Sequence, residues 1–344
     1  MLRPICPAGR SVVFPFLFLI SSFCCAEEPL EYSMPAPLAS RSLLLDINAT
    51  GSGFIAVGER GHILVSNDGQ NWQQVVVPTR ATLTAVYFHD EDLGWAVGHD
   101  AVILRTEDGG SNWERVFYSP GDEAPLLDIW FRDAMNGIAV GAYGLYLVSQ
   151  DGGKTWTRGQ LDVIKDESDK LERTDVDELT DDDFADAYDL HLNSFIVSNS
   201  GDLYIAAEAG RIYHSSDQGL QWRELPSPYR GSFFGTLSLD DNRLFVFGLR
   251  GHLFRSDNGG ISWQEIETGT KEMLTDGIRL PDGKIIIVGL GGTVLVSRDN
   301  GEGFSLNRQT GRNGYSAVVE AETGRLLAVG EGGIERITLN GIIQ

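Results

Sequence analysis

The chain has 344 residues, with 49 acidic and 27 basic side chains and a net charge of −22. This acidic balance argues against a nucleic-acid binder, whose affinity depends on neutralising phosphates. With 42% hydrophobic residues and 41 glycines, the chain can bury a substantial core and is rich in turns, so neither a disordered chain nor a bundle of long helices is expected.

The N-terminus has the pattern of a secretory signal peptide over residues 1–26. Basic residues precede an apolar stretch from Ser11 to Phe23, and the small residue Ala26 marks the expected cleavage site. The apolar stretch is too short to span a bilayer comfortably. We therefore predict a periplasmic or secreted protein whose mature domain covers residues 27–344, without insertion into the membrane.

The three cysteines all lie within this leader, at Cys6, Cys24 and Cys25. Cleavage after Ala26 would leave a mature chain without disulfides or thiol chemistry. A lipoprotein signal is the alternative, because Cys24 or Cys25 could carry lipid, and the sequence leaves this open.

A repeat of about 41 residues follows. Its first signal is an apolar pair running into Gly-x-x-Gly or a close variant. The first position of that element falls at Gly58, Gly98, Gly141, Ala207, Gly248, Gly289 and Gly330. The interval from Gly141 to Ala207 is longer than the others, which indicates an insertion there.

The second signal is the box Ser/Thr-x-Asp-x-Gly-x-x-Trp, which occurs six times in phase with the first. Its aspartate and tryptophan positions are Asp68 and Trp72, Asp108 and Trp113, Asp151 and Trp156, Asp217 and Trp222, Asn258 and Trp263, and Asp299 and Phe304. A polar Asp can bond its own backbone, Gly takes a positive φ, and Trp packs a large ring, so each box suits a hairpin turn. We interpret the boxes as structural turns between third and fourth strands.

Each unit divides into four short strands separated by turn residues. In the second unit these are Leu83–Phe88, Gly94–Val97, Val102–Arg105 and Trp113–Phe117. Four strands repeated seven times predict an all-β fold, a seven-bladed β-propeller of four-stranded blades.

The last unit has only three predicted strands, Tyr315–Ala321, Arg325–Val329 and Ile334–Leu339. We predict that Leu30 to Ala36 supplies the fourth, outer strand of the seventh blade. Such a closure would remove exposed edges and hold the chain ends.

The insertion between blades 3 and 4, residues 161–189, holds 13 acids and three bases. A charge run of this kind is usually solvated. Calcium binding through Asp175, Asp177, Asp181 and Asp183 is the alternative, although the spacing is not that of an EF-hand. We expect neither a metal site nor a cofactor.

The repeated pattern, best seen in Gly137–Trp156, resembles the photosystem II stability/assembly factor family and its relatives in non-photosynthetic bacteria. The resemblance implies a seven-bladed propeller in the lumen or periplasm that binds membrane-protein intermediates and has no catalytic residues. The boxes also resemble the bacterial neuraminidase repeat, so a sialidase-like or other glycoside hydrolase is the alternative function. The arginine cluster that a sialidase needs is not evident, and we predict a protein that is not an enzyme.

Consecutive turns of a propeller blade alternate between its two faces, and variable loops on a rigid scaffold commonly carry binding residues. Arg and Tyr are frequent at protein interfaces. The candidate partner-binding residues, all on the face opposite the boxes, are Arg60, Arg80, His99, Tyr143, Arg230, Arg250 and Arg312. They could equally be solvated rim residues. The expected partner is a membrane protein complex at the periplasmic side of the inner membrane, such as a transporter, bound by a monomer.

Overall fold

In the computed structural model, β-strands form seven antiparallel sheets, each built from strands that follow one another in the chain. The structure describes residues 30–164, 190–322 and 325–338. All of these strands lie in the compact unit Glu31–Gln344. The predicted signal peptide and the aspartates of the calcium-binding alternative lie outside the described residues.

The strands of the first four blades are as follows. Blade 1 has β1 (Leu44–Thr50), β2 (Gly53–Gly58), β3 (Ile63–Ser66) and β4 (Gln73–Val75). Blade 2 has β5 (Leu83–Phe88), β6 (Gly94–Gly98), β7 (Ile103–Thr106) and β8 (Glu114–Phe117). Blade 3 has β9 (Leu126–Phe131), β10 (Gly137–Gly141), β11 (Tyr146–Ser149) and β12 (Thr157–Arg158). Blade 4 has β13 (Leu192–Val197), β14 (Leu203–Ala207), β15 (Ile212–Ser215) and β16 (Arg223–Glu224).

The remaining blades repeat this order. Blade 5 has β17 (Phe233–Ser238), β18 (Leu244–Gly248), β19 (Leu253–Ser256) and β20 (Gln264–Glu265). Blade 6 has β21 (Leu274–Arg279), β22 (Ile285–Gly289), β23 (Thr293–Ser297) and β24 (Ser305–Arg308). Blade 7 has β25 (Tyr315–Glu322), β26 (Arg325–Gly330) and β27 (Gly333–Thr338). The predicted seven-bladed all-β propeller is confirmed, and the bounds predicted for blade 2 differ by one residue at most.

Apolar clusters between neighbouring blades hold the ring together. Each of seven clusters draws buried residues from two adjacent blades, and the second strand of blades 2 to 6 is buried at every residue. One cluster joins the last blade to the first, with Leu327 and Val329 packed against Leu44 and Leu64. Burial of apolar surface at every boundary is the dominant stabilising contribution in such an array.

The structure does not show the predicted strand at Leu30 to Ala36 completing blade 7. Within the described residues the sheet of blade 7 has three strands, and the segment follows the outer edge of blade 1 instead. The Ser33 N–H donates to the Val77 carbonyl at 2.8 Å, and the Ala36 N–H donates to Gln74 Oε1 at 2.7 Å. Pro35 lacks an N–H, which makes this segment a poor member of a hydrogen-bonded ladder.

The two glycines of each Gly-x-x-Gly element have different roles. The first has an extended backbone, with φ of 180° at Gly98, but a Cβ there would collide with the carbonyl oxygen of Thr82. The second has a positive φ, as at Gly61 with 69°. Close approach of two strands therefore favours glycine at the first position, where blade 4 has Ala207 instead, and the turn conformation favours glycine at the second.

Within the described ranges, none of the helical segments is long and apolar enough to cross a bilayer.

Candidate protein-binding face

The antiparallel strand order places two kinds of turn on opposite faces. The Asp-box face carries the boxes and the turns between first and second strands, and these touch, as the Gly152 N–H donates to the Met135 carbonyl at 2.9 Å. The Gly-turn face carries the Gly-x-x-Gly turns and the connections between blades. All seven predicted partner-binding residues lie on the Gly-turn face and are exposed.

Residues other than glycine have left-handed backbones at the tips of five Gly turns. The φ angles are 57° at Arg60, 59° at Asp100, 52° at Tyr143, 54° at Ala209 and 57° at Arg250. A left-handed backbone costs a residue with a Cβ roughly 1–2 kcal/mol. Each side chain is held at the outermost point of its turn.

Four of the predicted arginines are free to contact a partner. In the part of the chain that the structure describes, the exposed side chains of Arg60, Arg230, Arg250 and Arg312 make no hydrogen bond or ion pair. Arg80 differs, because its Nε donates to the Tyr32 carbonyl at 2.9 Å and so fixes the N-terminal segment. The structure brings these residues to one face without gathering them into a single cluster.

Tyr143 lines a cleft of about 180 Å³ on this face. Its ring is 61% exposed and stands edge-on to the His191 ring, with 5.0 Å between centroids. Arg158 and Asp122, which also line the cleft, form an ion pair. The cleft is large enough for one side chain and lies beside His99 and Asp100, the turn of the preceding blade.

The Asp-box aspartates are occupied by their own turns. Oδ1 of Asp151 accepts hydrogen bonds from the backbone N–H groups of Lys154 and Thr155 at 3.1 and 3.0 Å, and the Thr155 hydroxyl donates to Oδ2 at 2.6 Å. The hydrogen bonds from Thr155 and Lys154 lower the pKa of Asp151 to about 2. The box glycines have positive φ, such as 72° at Gly153, and the Trp156 Nε1–H donates to the Gly153 carbonyl at 3.1 Å.

The other boxes have the same arrangement. Asn258 replaces the aspartate in blade 5, and its Oδ1 accepts the Ser262 N–H at 2.9 Å. The tryptophans are buried or half-buried, and the Phe304 ring meets the Phe245 ring edge-on with 6.0 Å between centroids. These contacts account for the box residues as turn-forming groups.

Sequence reasoning missed three carboxyl groups in the central channel. Asp46, Asp128 and Asp276 occupy the same position on the first strands of blades 1, 3 and 6. Desolvation by the surrounding strands raises the pKa of Asp46 to about 6 and of Asp128 and Asp276 to about 7. The available signal was an acid two residues after the leucine that begins each of these strands.

Metal binding finds no support in this part of the chain. Over residues 30–164, 190–322 and 325–338, no group of three or more His, Cys, Asp or Glu side chains could hold a metal ion.

Comparisons with known sequences match parts of the chain. A family model described as "Photosynthesis system II assembly factor YCF48" matches residues 64–124, and one described as "BNR/Asp-box repeat" matches residues 147–158. The chain is 40% identical over 47 residues to Photosystem II assembly protein Ycf48 of Thermosynechococcus vestitus, covering 14% of each protein. It is 34% identical over 82 residues to Photosystem II stability/assembly factor HCF136 of Cyanidioschyzon merolae, covering 22% of this chain and 19% of that protein. The aligned stretches thus span less than a fifth of these relatives.

Solved structures match almost the whole chain. "YCF48 bound to D1 peptide" gives a TM-score of 0.66 at 18% identity, over 91% of this chain and 97% of the other. "YCF48 from Cyanidioschyzon merolae" gives 0.67 at 18% identity, over 90% and 99%. "Streptogramin B lyase structure" also gives 0.67, at 13% identity, over 90% and 96%. At such identities these structures establish the fold alone.

The sequence and structure matches together support a photosystem II assembly factor-like family and confirm the predicted resemblance. The family model matches the last two strands of blade 1 and all of blade 2, whereas the repeat model overlaps the end of Gly137–Trp156. Because the similar folds include a lyase, the fold alone does not separate a binding protein from an enzyme.

Proposed function

We propose that this protein is an exported, non-catalytic propeller that binds a membrane protein complex as an assembly or stability factor. The observation that carries the proposal is the similarity, over 91% of this chain, to a propeller described as bound to a peptide. Two relatives by sequence are named assembly factors. A rigid ring with variable loops on one face suits protein recognition.

The Gly-turn face is the proposed binding surface. Arg60 and Arg250 occupy turn tips at which blade 6 has Gly291, so glycine is compatible with this turn. Arginine there adds left-handed backbone strain and makes no hydrogen bond or ion pair within the described residues. A contact with a partner would explain why arginine stands at these positions, and Arg is enriched among residues that dominate interfaces.

The proposed compartment is the periplasm, or the outside of the cell, with a partner at the periplasmic side of the inner membrane, such as a transporter. The support is the signal-peptide pattern of residues 1–26. N-terminal sequencing of the mature protein should begin at Glu27. An N-terminal lipidated cysteine would instead establish the lipoprotein alternative.

Affinity purification from detergent-solubilised envelope tests the binding function. The wild-type protein should enrich one membrane complex, and the double charge reversal Arg60→Glu/Arg250→Glu should abolish that enrichment. Arg325→Glu is the control, because Arg325 is 68% exposed and begins β26 of blade 7 on the opposite face. Recovery of the same complex by the double variant would overturn the assignment of this face.

A glycoside hydrolase remains the rival function, since a lyase shares the fold. Hydrolysis of a sialoside or another glycoside, lost on mutation of an acid on the Gly-turn face, would establish that rival. The box aspartates are poor candidates for catalysis, because their oxygens accept the hydrogen bonds of the turns.

A further inference from the structure

One position of the Asp-box turn departs from the repeat in two adjacent blades. It directly follows the box glycine and is held by Gln70, Ser111, Lys154, Leu220, Ile261 and Glu302. Four blades therefore place a polar residue at this tip, and blades 4 and 5 place large apolar ones. Leu220 is 71% exposed and Ile261 is 68% exposed, and these are the two largest exposed fractions among the apolar side chains described.

The turns themselves do not require these two side chains. The box of blade 4 is held by the Gln221 N–H, which donates to Asp217 Oδ1 at 2.9 Å, as in the polar-tipped boxes. Neither Leu220 nor Ile261 belongs to the apolar clusters at the blade boundaries. Their exposure therefore has no origin in the packing of the propeller.

Two more exposed apolar residues flank them. Met135, 51% exposed, lies in the first turn of blade 3, and Ile164, 48% exposed, follows Val163, which pairs with Trp222 of blade 4. We call Met135, Ile164, Leu220 and Ile261 the apolar rim. The turn that carries Met135 adjoins the box of blade 4, because Arg132 Nη1 donates to Gln218 Oε1 at 3.0 Å. The apolar rim thus runs over three consecutive blades.

Charge around the apolar rim is negative. The turns 132–136, 150–156, 198–202, 216–222, 239–243 and 257–263 hold seven acids and three bases. Two of the bases are already paired, Arg132 with Asp133 at 3.1 Å and Arg243 with Asp240 at 2.7 Å. Arg255, just outside these turns, forms an ion pair with Asp257 at 2.8 Å. The surface therefore combines exposed apolar tips with a small excess of carboxylates, among them Asp217 and Asp241.

We propose that the apolar rim is a second protein-binding surface, on the Asp-box face, for a partner segment whose apolar residues are flanked by Lys or Arg. Apolar side chains of that segment would cover the tips at Leu220 and Ile261, and its basic residues would face the surrounding carboxylates. The negative charge disfavours an anionic lipid surface as the occupant. This proposal does not depend on the Gly-turn face.

Synthetic peptides test this surface on the full-length protein. Fluorescence anisotropy would compare an amphipathic peptide of Leu and Lys with the same peptide carrying Glu in place of Lys. We expect the Leu/Lys peptide to bind, and the double variant Leu220→Gln/Ile261→Ser to weaken it by about tenfold or more. The substituted residues are those that blades 1 and 2 carry at the same position, so the turn is retained and the charge is unchanged.

The controls distinguish the proposed peptide partner from a lipid surface and from a second copy of the protein. Gln70→Ser, at the same position of blade 1, should leave the affinity unchanged, and the single variants Leu220→Gln and Ile261→Ser should each lose about threefold, half of the double effect on a free-energy scale. Equal affinity of wild type and double variant for the Leu/Lys peptide would overturn the proposal, as would equal binding of the Leu/Glu peptide. Partition of the protein into phosphatidylcholine vesicles, or dimerisation, that is lost in the double variant would also overturn it.

Discussion

The carboxylate of Asp46 links the first two blades directly, because its Oδ2 accepts a hydrogen bond from the backbone N–H of Val86 at 2.8 Å. Its Oδ1 accepts the N–H of its own neighbour Ile47 at 2.7 Å. Both oxygens are therefore used by backbone donors, one on each side of a blade boundary. An acid at this position stabilises the contact between inner strands in a way that an apolar residue cannot.

Two other boundaries repeat the contact. Asp128 accepts the Phe195 N–H across the boundary of blades 3 and 4 at 2.7 Å, and Asp276 accepts the Val318 N–H across that of blades 6 and 7 at 2.8 Å. Desolvation is the main cause of their raised pKa values, and repulsion from Asp46 raises both further. The three carboxyl groups thus stabilise the boundaries through hydrogen bonds and destabilise the fold when all are ionised.

The first prediction is a loss of stability as the pH rises from 5 to 8. The folded-state pKa of each group, about 6 to 7, lies above its unfolded value of 3.8, so the folded protein holds more protons between these values. The contribution of these groups to the free energy of unfolding is then fully present below about pH 4 and is lost as the pH rises from there through 6 to 7. Because these three residues are half-buried rather than fully enclosed, the effect is on the order of 1–2 kcal/mol for each group.

Urea denaturation at pH 5 and pH 8 measures this difference. The variant Asp128→Ala/Asp276→Ala should show a smaller difference between the two pH values, and blade 2 already carries Ala85 at this position. Asp282→Ala is a suitable control, because Asp282 lies in an exposed turn and its contacts with Lys284 lower its pKa. A pH dependence that is identical in wild type and double variant would exclude the channel carboxyl groups as its source.

The second prediction separates stability from binding at the turn tips. Replacing Arg250 by Gly removes the strain of a φ of 57°, while the greater freedom of Gly in the unfolded chain offsets part of the gain. The free energy of unfolding should stay constant or rise by up to about 1 kcal/mol. Partner enrichment in affinity purification from the envelope should fall, because the guanidinium is lost.

Arg223→Gly is the contrasting variant, since Arg223 lies within a strand, where Gly is unfavourable. It should lower stability and leave enrichment unchanged. A strong loss of stability in Arg250→Gly would show that the arginine supports the turn rather than the partner.

The repeat explains how far the sequence could predict the fold. Seven copies of the same turn chemistry locate the strands within about a residue, because each Gly and each box restricts the backbone in the same way. The N-terminal segment has no such copy, and its position depends on individual contacts such as the one with the Gln74 side chain, whose Nε2 donates to the Met34 carbonyl at 3.0 Å. A single side-chain amide of this kind carries no periodic signal.

The candidate sites show the same difference between features that the repeat predicts and features that depend on contacts between blades. The side of the ring on which Arg60 and Arg250 lie follows from strand alternation alone, and it was predicted. The raised pKa of Asp128 results from inner strands converging around the channel, and the sequence of one strand does not report that. The exposure of Leu220 was likewise not foreseen, although its departure from the repeat could have been read from the aligned boxes.

The third prediction concerns the box hydrogen bonds. Asp151→Ala removes four acceptor contacts, from two backbone N–H groups and from the Ser149 and Thr155 hydroxyls, and should cost about 1 kcal/mol or more. Asp151→Asn should cost less, because Asn258 forms the equivalent contacts in blade 5, with its Nδ2 donating to Ser262 Oγ at 2.9 Å. Urea denaturation at neutral pH distinguishes the two variants.

Acid should also affect the stability of the wild type and of Asp151→Asn differently. The pKa of Asp151 is lowered to about 2, so the stability that its charge contributes is present above pH 4 and is lost as the pH falls through 2. Asp151→Asn lacks this term and should show a weaker loss of stability in acid. Equal acid sensitivity of wild type and Asp151→Asn would contradict the assignment.

The fourth prediction tests how the ring closes between blades 7 and 1. Leu327 is 1% exposed and packs with Leu44 and Leu64 across this boundary, so Leu327→Ala should leave a cavity and cost about 2–5 kcal/mol in urea denaturation. Arg336→Ala removes only the hydrogen bond from Nη2 to the Gly69 carbonyl at 3.1 Å and should cost about 1 kcal/mol.

Leu38→Ala is the control for the same chemical change, because Leu38 is 63% exposed, and it should stay within about 0.5 kcal/mol of wild type. If apolar packing closes the ring, the three variants will rank in that order. A cost for Leu327→Ala no larger than for Leu38→Ala would mean that other contacts hold this boundary.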